Sequence, residues 1–300
     1  MLHPLGLPGL KEALSGIERA ELVCPPDDDG VALALCTAPV LVTRRWNPRY
    51  LQPALRFVQA LSSSYDQFDV AELGNSGVVL ANASGLHEVA SEHAIALLLN
   101  LTREIKHSLT EARERRWNPR TAGEISGMTI VILGLGPIGQ GIARRLELWG
   151  VRIIGVTRTP DDHAGHLGDV RPLSQLAEAC LEASALVVAI PLSTVTRHIV
   201  SAEVLDALGC GYVVNVARGS VVDQAALVER LVNGRLRGAG LDVFEHEPLP
   251  VDSPLWYLPN VVATPHMAGM APSYPERLAK LLAHNLRALD GEARWRNRVV

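Results

Sequence analysis

The stretch Thr129–Gly150 constrains this chain more than any other. It reads Thr-Ile-Val-Ile-Leu-Gly-Leu-Gly-Pro-Ile-Gly-Gln-Gly-Ile-Ala-Arg-Arg-Leu-Glu-Leu-Trp-Gly. The β-branched apolar run Thr129–Leu133 predicts a buried strand, and Gly134, Gly136 and Gly139 follow it. Ile138, Ile142, Leu146 and Trp149 then recur at spacings of three and four, which predicts a helix packed on one face. In that strand–turn–helix context G-x-G-x-x-G is a dinucleotide fingerprint. Gly134 permits the tight turn, Gly136 lets backbone approach a pyrophosphate, and Gly139 lets the helix lie close on the strand. The free N–H groups and positive dipole end of the helix then face the phosphates.

Beyond Gly127 the same alternation continues. Strands are expected at Val151–Val156, Ala185–Ile190, Tyr212–Val216, Arg237–Val243 and Val261–Thr264. Helices are expected at Leu173–Leu181, Ala202–Leu208 and Asp223–Val232, the last capped by Asp223. Such alternation implies right-handed βαβ units and a parallel sheet covered on both faces. The first ninety or so residues alternate less regularly. Glu21–Cys24, Val31–Cys36, Val40–Thr43, Arg56–Ala60 and Val78–Ala81 read as strands, Pro48–Leu55 as a helix and Asn82–Gly85 as a turn. Leu61–Asp66 is a polar loop at a strand end, the usual place for ligand contacts in an open α/β sheet.

His87–Arg116 reads as one long helix or two with a kink, stopped by Asn118-Pro119. Its centre, Ala94–Leu101, is apolar nearly all round and so must be buried, between domains or in a subunit contact. Pro272–Leu289 reads as a last helix. The fold class expected is α/β: two Rossmann-like domains with parallel sheets, the larger inserted in the smaller. Residues 92–269 would hold the dinucleotide, and residues 1–91 with 270–300 the substrate.

A chain of 300 residues, 48% hydrophobic and 20% charged, can bury such cores. Its net charge of −4 gives no reason to expect nucleic acid or an anionic membrane as partner. Cys24, Cys36, Cys180 and Cys210 are scattered, without metal-ligand spacing, so buried free thiols in a reducing cytoplasm and no metal are expected. Met1–Leu10 lacks the basic start of a signal peptide, and Ala94–Leu101 is too short to span a bilayer. The hexapeptide Arg-Arg-Trp-Asn-Pro-Arg occurs at Arg44–Arg49 and again at Arg115–Arg120; its flanks do not match, so no repeat architecture follows.

Several residues point to chemistry. A carboxylate about 20 residues past the fingerprint would bind a ribose 2′-OH. Thr157 stands there instead, followed by Arg158, and a hydroxyl beside a guanidinium suits a 2′-phosphate. NADP is therefore preferred over NAD. Further on, three strands run into Arg218, into Asp242 with Glu245, His246 and Glu247, and into His266. Carboxyl ends of strands converge on the ligand crevice in such sheets, so an Arg, an acid and a His could meet near the nicotinamide.

The chain resembles the D-isomer-specific 2-hydroxyacid dehydrogenase family from about Leu61 to Gly269. The resemblance rests on Gly134–Gly139, Pro191–Thr196, Asn215–Gly219, Leu241–Phe244 with Glu247-Pro248-Leu249, and Thr264-Pro265-His266. It implies that Arg218, Glu247 and His266 are the catalytic set, with Glu247 rather than Glu245 or His246 as the acid. It also implies cofactor contacts at Gly134, Gly136, Pro137, Ile138, Gly139, Thr157, Arg158, Thr159, Pro191, Thr196, Val216, Ala217, Asp242 and Gly269. Backbone around Ser63, Ser64 and Tyr65, with Arg218, would hold the substrate carboxylate. The Ser63-Ser64-Tyr65 loop departs from the small residues common in the family. Met267 and Met270 flank the region after His266 and could narrow or soften the substrate site, while His87 and His93 are expected to be structural or solvated.

These readings predict an NADPH-preferring oxidoreductase, acting in the cytoplasm as a homodimer. It would reduce small 2-oxo acids such as glyoxylate or hydroxypyruvate to D-2-hydroxy acids, with His266 as proton donor. The alternative is a corepressor-like NAD(P)-sensing protein with little turnover.

Overall fold

The computed structural model describes residues 9–17, 20–86, 88–163 and 167–300. The chain folds as two compact units, Met1–His87 with Met270–Val300, and Glu88–Gly269. The larger unit is one continuous segment inserted in the smaller. Its lower boundary falls at 87/88, whereas the sequence alone suggests 91/92.

The smaller unit is built on three parallel strands, β1 (Val40–Thr43), β2 (Phe57–Ala60) and β3 (Val79–Ala81), in the order β1-β2-β3. Residues 297–300 lie antiparallel against β3, with Val299 donating to the Leu80 carbonyl at 2.7 Å. Leu41, Val58 and Leu80 pack with Val31, Tyr50 and Leu73 on one side. Val42, Phe57 and Ala81 pack with Leu10, Tyr274 and Leu278 on the other. Two expectations fail here. Val31–Cys36 is not a strand: Asp28–Ala34 is a helix, because Asp27 caps it by accepting from Gly30 N–H at 2.8 Å and short apolar runs fit either period. Glu21–Cys24 has no regular structure. Pro48–Leu55 shrinks to one 3₁₀ turn, Pro48–Tyr50, capped by Asn47; Pro53 has no N–H with which to continue it. The helices Leu10–Ser15 and Val70–Asn75 were not foreseen.

The larger unit holds seven parallel strands: β4 (Thr129–Leu133), β5 (Arg152–Thr157), β6 (Val170–Pro172), β7 (Ala185–Val188), β8 (Tyr212–Asn215), β9 (Gly238–Leu241) and β10 (Val261–Ala263). Their order is β10-β9-β8-β7-β4-β5-β6. The chain winds outward from β4 to β6, then crosses back to β7 and winds the other way. β4 and β7 therefore flank the topological switch point, where a doubly wound sheet binds its ligand. Strand β6 was not foreseen.

The helix expected over His87–Arg116 is two, Val89–Thr102 and Ile105–Arg113. Glu104 breaks it with a left-handed backbone, φ 52°. The apolar centre of the first helix packs on its own sheet: a Cβ added at Gly240 of β9 would lie 2.8 Å from Leu97 Cβ. Burial of Ala94–Leu101 thus needs no second domain or subunit. The two hexapeptide copies lie in different settings. Trp46 of the first is half-buried and bonds Glu72, whereas Trp117 of the second is 94% exposed.

Candidate active site

The glycine turn leaves β4 as the fingerprint requires. Gly134 has φ +99°, and a Cβ there would lie 2.7 Å from Ile190 N, just past β7. A Cβ on Gly139 would lie 1.9 Å from the Gly134 carbonyl oxygen, so the helix Pro137–Glu147 rests directly on the turn. Gly136, by contrast, would meet nothing within 4 Å. It caps the helix without a side-chain hydrogen bond, and Gly136 and Pro137 are exposed beside half-buried Ile138. This open, uncapped N-terminus fits the phosphates of a dinucleotide.

Thr157 ends β5 and is buried, whereas Arg158 and Thr159 are exposed. Pro191, past β7, is exposed as well. Thr196 points inward: its hydroxyl donates to the Pro191 carbonyl at 2.7 Å and accepts from Ser193 N–H at 2.7 Å. Its side chain shapes that loop and has no hydrogen left to donate outward.

The ends of β8, β9 and β10 carry Arg218, Glu247 and His266. Asn215, the last residue of β8, donates to the Arg218 carbonyl at 2.9 Å and accepts from Ala217 N–H at 3.0 Å, folding Val216–Arg218 into a fixed turn. His266 Nδ1 lies 2.7 Å from Glu247 Oε2. An ionised carboxylate only accepts, so Nδ1 carries the hydrogen and Nε2 is the nitrogen left for a ligand. Glu247 Oε1 accepts from Phe244 N–H at 3.0 Å. Burial pushes the Glu247 carboxyl up, but the hydrogen bonds from His266 and Phe244 and the charges of His266 and Arg218 outweigh it. The carboxyl is held below its ordinary range. It is thus ionised at neutral pH, where a protonated His266 needs an anion beside it. His266 itself is strained, with φ 50°, and half exposed.

That strain is held by Asp242, which is 1% exposed. Its Oδ1 accepts from Thr264 Oγ1 at 2.6 Å and Met267 N–H at 3.0 Å, its Oδ2 from Ala268 N–H at 2.8 Å, and its carbonyl from His266 N–H at 2.8 Å. His93 Nε2 lies 2.9 Å from Thr264 Oγ1. The one hydroxyl hydrogen of Thr264 goes to Asp242, so His93 Nε2 must donate. Asp242 therefore grips the loop that bears His266, and His93 and Thr264 complete the grip. The sequence reading allowed His93 a structural role but gave no sign of this one. His87 lies outside the described residues, as do residues 1–8 of the stretch inspected for a signal peptide. Met267 and Met270 are exposed.

In the smaller unit, Ser63–Tyr65 follows β2. Asn82 Nδ2 holds the Ser63 carbonyl at 2.8 Å, and Ser62 Oγ donates to the Ser64 carbonyl. The N–H groups of Ser63, Ser64 and Tyr65 donate no hydrogen bond among the described residues. Successive undonated amides bind an anion where the backbone turns them to one side.

With this geometry in place, comparison with known proteins is decisive. Residues 95–268 match the model of the D-isomer specific 2-hydroxyacid dehydrogenase, NAD binding domain. The chain belongs to this family. As a D-2-hydroxyacid dehydrogenase it is an NAD(P)-dependent oxidoreductase. It is 36% identical over 246 residues to a glyoxylate reductase of Korarchaeum cryptofilum, covering 78% of this chain and 73% of that one. It is 33% identical over 285 residues to glyoxylate/hydroxypyruvate reductase B of Pectobacterium carotovorum, covering 91% and 89%. Among solved structures it resembles the NADPH-dependent glyoxylate/hydroxypyruvate reductase of Sinorhizobium meliloti in complex with NADP and malonate. There the TM-score is 0.87 at 34% identity, over 100% of this chain and 96% of that one.

Proposed function

We propose that this dehydrogenase is an NADPH-preferring reductase of small 2-oxo acids, turning glyoxylate into achiral glycolate and hydroxypyruvate and its like into D-2-hydroxy acids. The observation that carries the reading is the 2.7 Å His266–Glu247 pair, with the Arg218 charge beside it, at the ligand-binding end of a dinucleotide sheet. A dinucleotide held at the Gly134–Gly139 turn would supply the hydride for carbon 2 of the acid. Arg218 binds the substrate carboxylate and carbonyl and stabilises the negative charge that grows on oxygen. His266 Nε2 gives that oxygen its proton, and the Glu247 carboxylate, accepting from Nδ1, orients the ring for that transfer. In the reverse direction His266 is the base. A sensor with little turnover is not favoured, since relatives matched over most of their length are reductases by name. Purified protein should consume NADPH with at least one acid of a small 2-oxo acid panel. Tight NADPH binding without consumption would return the sensor reading.

Cofactor preference rests on Thr157 and Arg158. Thr157→Asp places a carboxylate where a 2′-phosphate is expected and should raise the NADPH Kd on the order of tenfold or more while NADH binding improves. Fluorescence titration with both cofactors checks this; an unchanged ratio removes these residues from the choice.

For assembly, we propose a homodimer in the cytoplasm. Support comes from the exposed apolar side chains of Ile105 (44%), Leu109 (57%) and Trp117 (94%), all near the second helix. Cys180 is buried as the sequence suggests, whereas Cys24, Cys36 and Cys210 are exposed; all four are free thiols, as suits a reducing compartment. No helix among the described residues is long and apolar enough to cross a membrane. Sedimentation should give twice the chain mass for the protein and a shift toward monomer for Leu109→Glu; a wild-type monomer contradicts the proposal.

A further inference from the structure

The catalytic pair has a second His–Glu pair beside it. His198 Nε2 lies 2.8 Å from Glu245 Oε1, two residues before Glu247. Both histidines adopt left-handed backbone, φ 51° at His198 and 50° at His266, a conformation that persists only where surroundings enforce it. The reading of Glu245 as a non-catalytic acid leaves open what it does.

Its contacts answer that. The backbone N–H of His198 donates to the Ser220 carbonyl at 2.9 Å, and Val200 N–H donates to the Val221 carbonyl at 3.1 Å. Residues 198–200 are thereby stitched along the segment that follows Arg218. The side chain of His198 then reaches Glu245. Glu245 is clamped further by Gln224, whose N–H donates to Glu245 Oε1 at 3.2 Å and whose Oε1 accepts from Glu245 N–H at 3.1 Å. Between these ties the backbones touch. A Cβ on Gly219 would lie 1.9 Å from Phe244 C and 2.3 Å from Glu245 N. Phe244 N–H in turn holds Glu247 Oε1 at 3.0 Å. One histidine thus brackets two loops, by its backbone the loop of Arg218 and by its ring the loop of Glu247.

We propose that His198 and Glu245 are a positioning pair that sets the guanidinium of Arg218 and the carboxylate of Glu247 in mutual register for substrate reduction. Neither is in the catalytic set; each acts through the loop it holds. The proposal rests on the reading of Arg218, Glu247 and His266 as the catalytic set.

The test is steady-state kinetics of the full-length variants His198→Ala, His198→Gln, Glu245→Gln and the double variant His198→Ala/Glu245→Gln. NADPH affinity and thermal melting are measured alongside. His198→Ala should lose about ten- to a hundredfold in kcat and raise the oxo-acid KM, since a 1 Å misplacement costs on the order of a hundredfold. NADPH affinity should stay within about twofold, because the glycine turn is untouched. The double variant should be no worse than the poorer single one, as groups acting as a unit are not additive. His198→Gln keeps a donor for Glu245 and should recover most of the kcat. A purely structural role would lower the melting temperature and leave kcat and KM of the folded protein alone, and that result overturns the proposal. So do losses that multiply in the double variant. If His198→Ala fails to fold, His198→Gln and Glu245→Gln decide: Glu245→Gln must lose kcat while His198→Gln keeps it. Glu247→Gln is run in parallel. Full activity there sinks the catalytic reading itself, whereas its loss with normal His198 variants sinks the positioning pair alone.

Discussion

His266→Ala should lower turnover by about three to four orders of magnitude, the upper part of the range for removing a general acid. On the proposed reading the phosphates bind at the Gly134–Gly139 turn after β4, and His266 follows β10, four places along the sheet, so NADPH affinity should hardly change. The kcat loss should come with little change in the oxo-acid KM, which marks an interaction made in the transition state. Glu247→Gln probes the same proton from behind. Its carboxyl, held below the ordinary range, is an anion at neutral pH and gives the Nδ1–H a charge-assisted partner. A neutral amide does not, so kcat of the variant should fall on the order of tenfold or more. Unchanged kcat would mean that the 2.7 Å contact orients the ring and its charge adds nothing.

The second large effect is expected at Arg218. Arg218→Ala removes both the carboxylate anchor and the field on the carbonyl oxygen, and should cost on the order of a thousandfold or more in kcat/KM. Arg218→Lys restores charge but not the planar fork that grips a carboxylate at two points, so it should recover only part of that loss. Both variants should retain the fold, since the turn Val216–Arg218 is set by Asn215 bonding to backbone. Kinetics with glyoxylate and NADPH measure the loss, and circular dichroism checks the fold. Full recovery by lysine would show that charge alone is needed.

Much of this arrangement could be read in the chain. The βα alternation beyond Gly127 was legible because β4, β5, β7, β8 and β10 are short apolar runs with β-branched residues, whereas β6, three residues ending in Pro172, carries too little pattern to read. The three-glycine spacing named its own geometry. Asp223 was legible as a cap, and it accepts from Ala226 N–H at 3.0 Å. The first ninety residues were harder for a physical reason. Val31–Cys36 is too short to separate a strand period from a helical one, and its cap at Asp27 precedes it by four residues. The long apolar helix was legible as buried but not as to what covers it, since Gly240 reveals itself as a groove for Leu97 only in three dimensions.

The support of the site was the least legible part. Arg218, Glu247 and His266 stand at strand ends, where a topology argument finds them. Their supports are chosen by contacts across the chain. His93 reaches Thr264 over 171 residues, and nothing near either residue signals the partner. Glu245 looks like one more surface acid until its neighbours are known. Asp242, placed by resemblance near the nicotinamide, spends its carboxylate on Thr264, Met267 and Ala268 and so serves His266 first.

The most direct test of the account follows a label. With NADPH deuterated at the transferable position of its nicotinamide and hydroxypyruvate as substrate, the product is analysed by mass spectrometry and chiral chromatography. The account predicts one deuterium at carbon 2 of the D-hydroxy acid for each NADPH consumed. A product without deuterium, or of the L configuration, would contradict it.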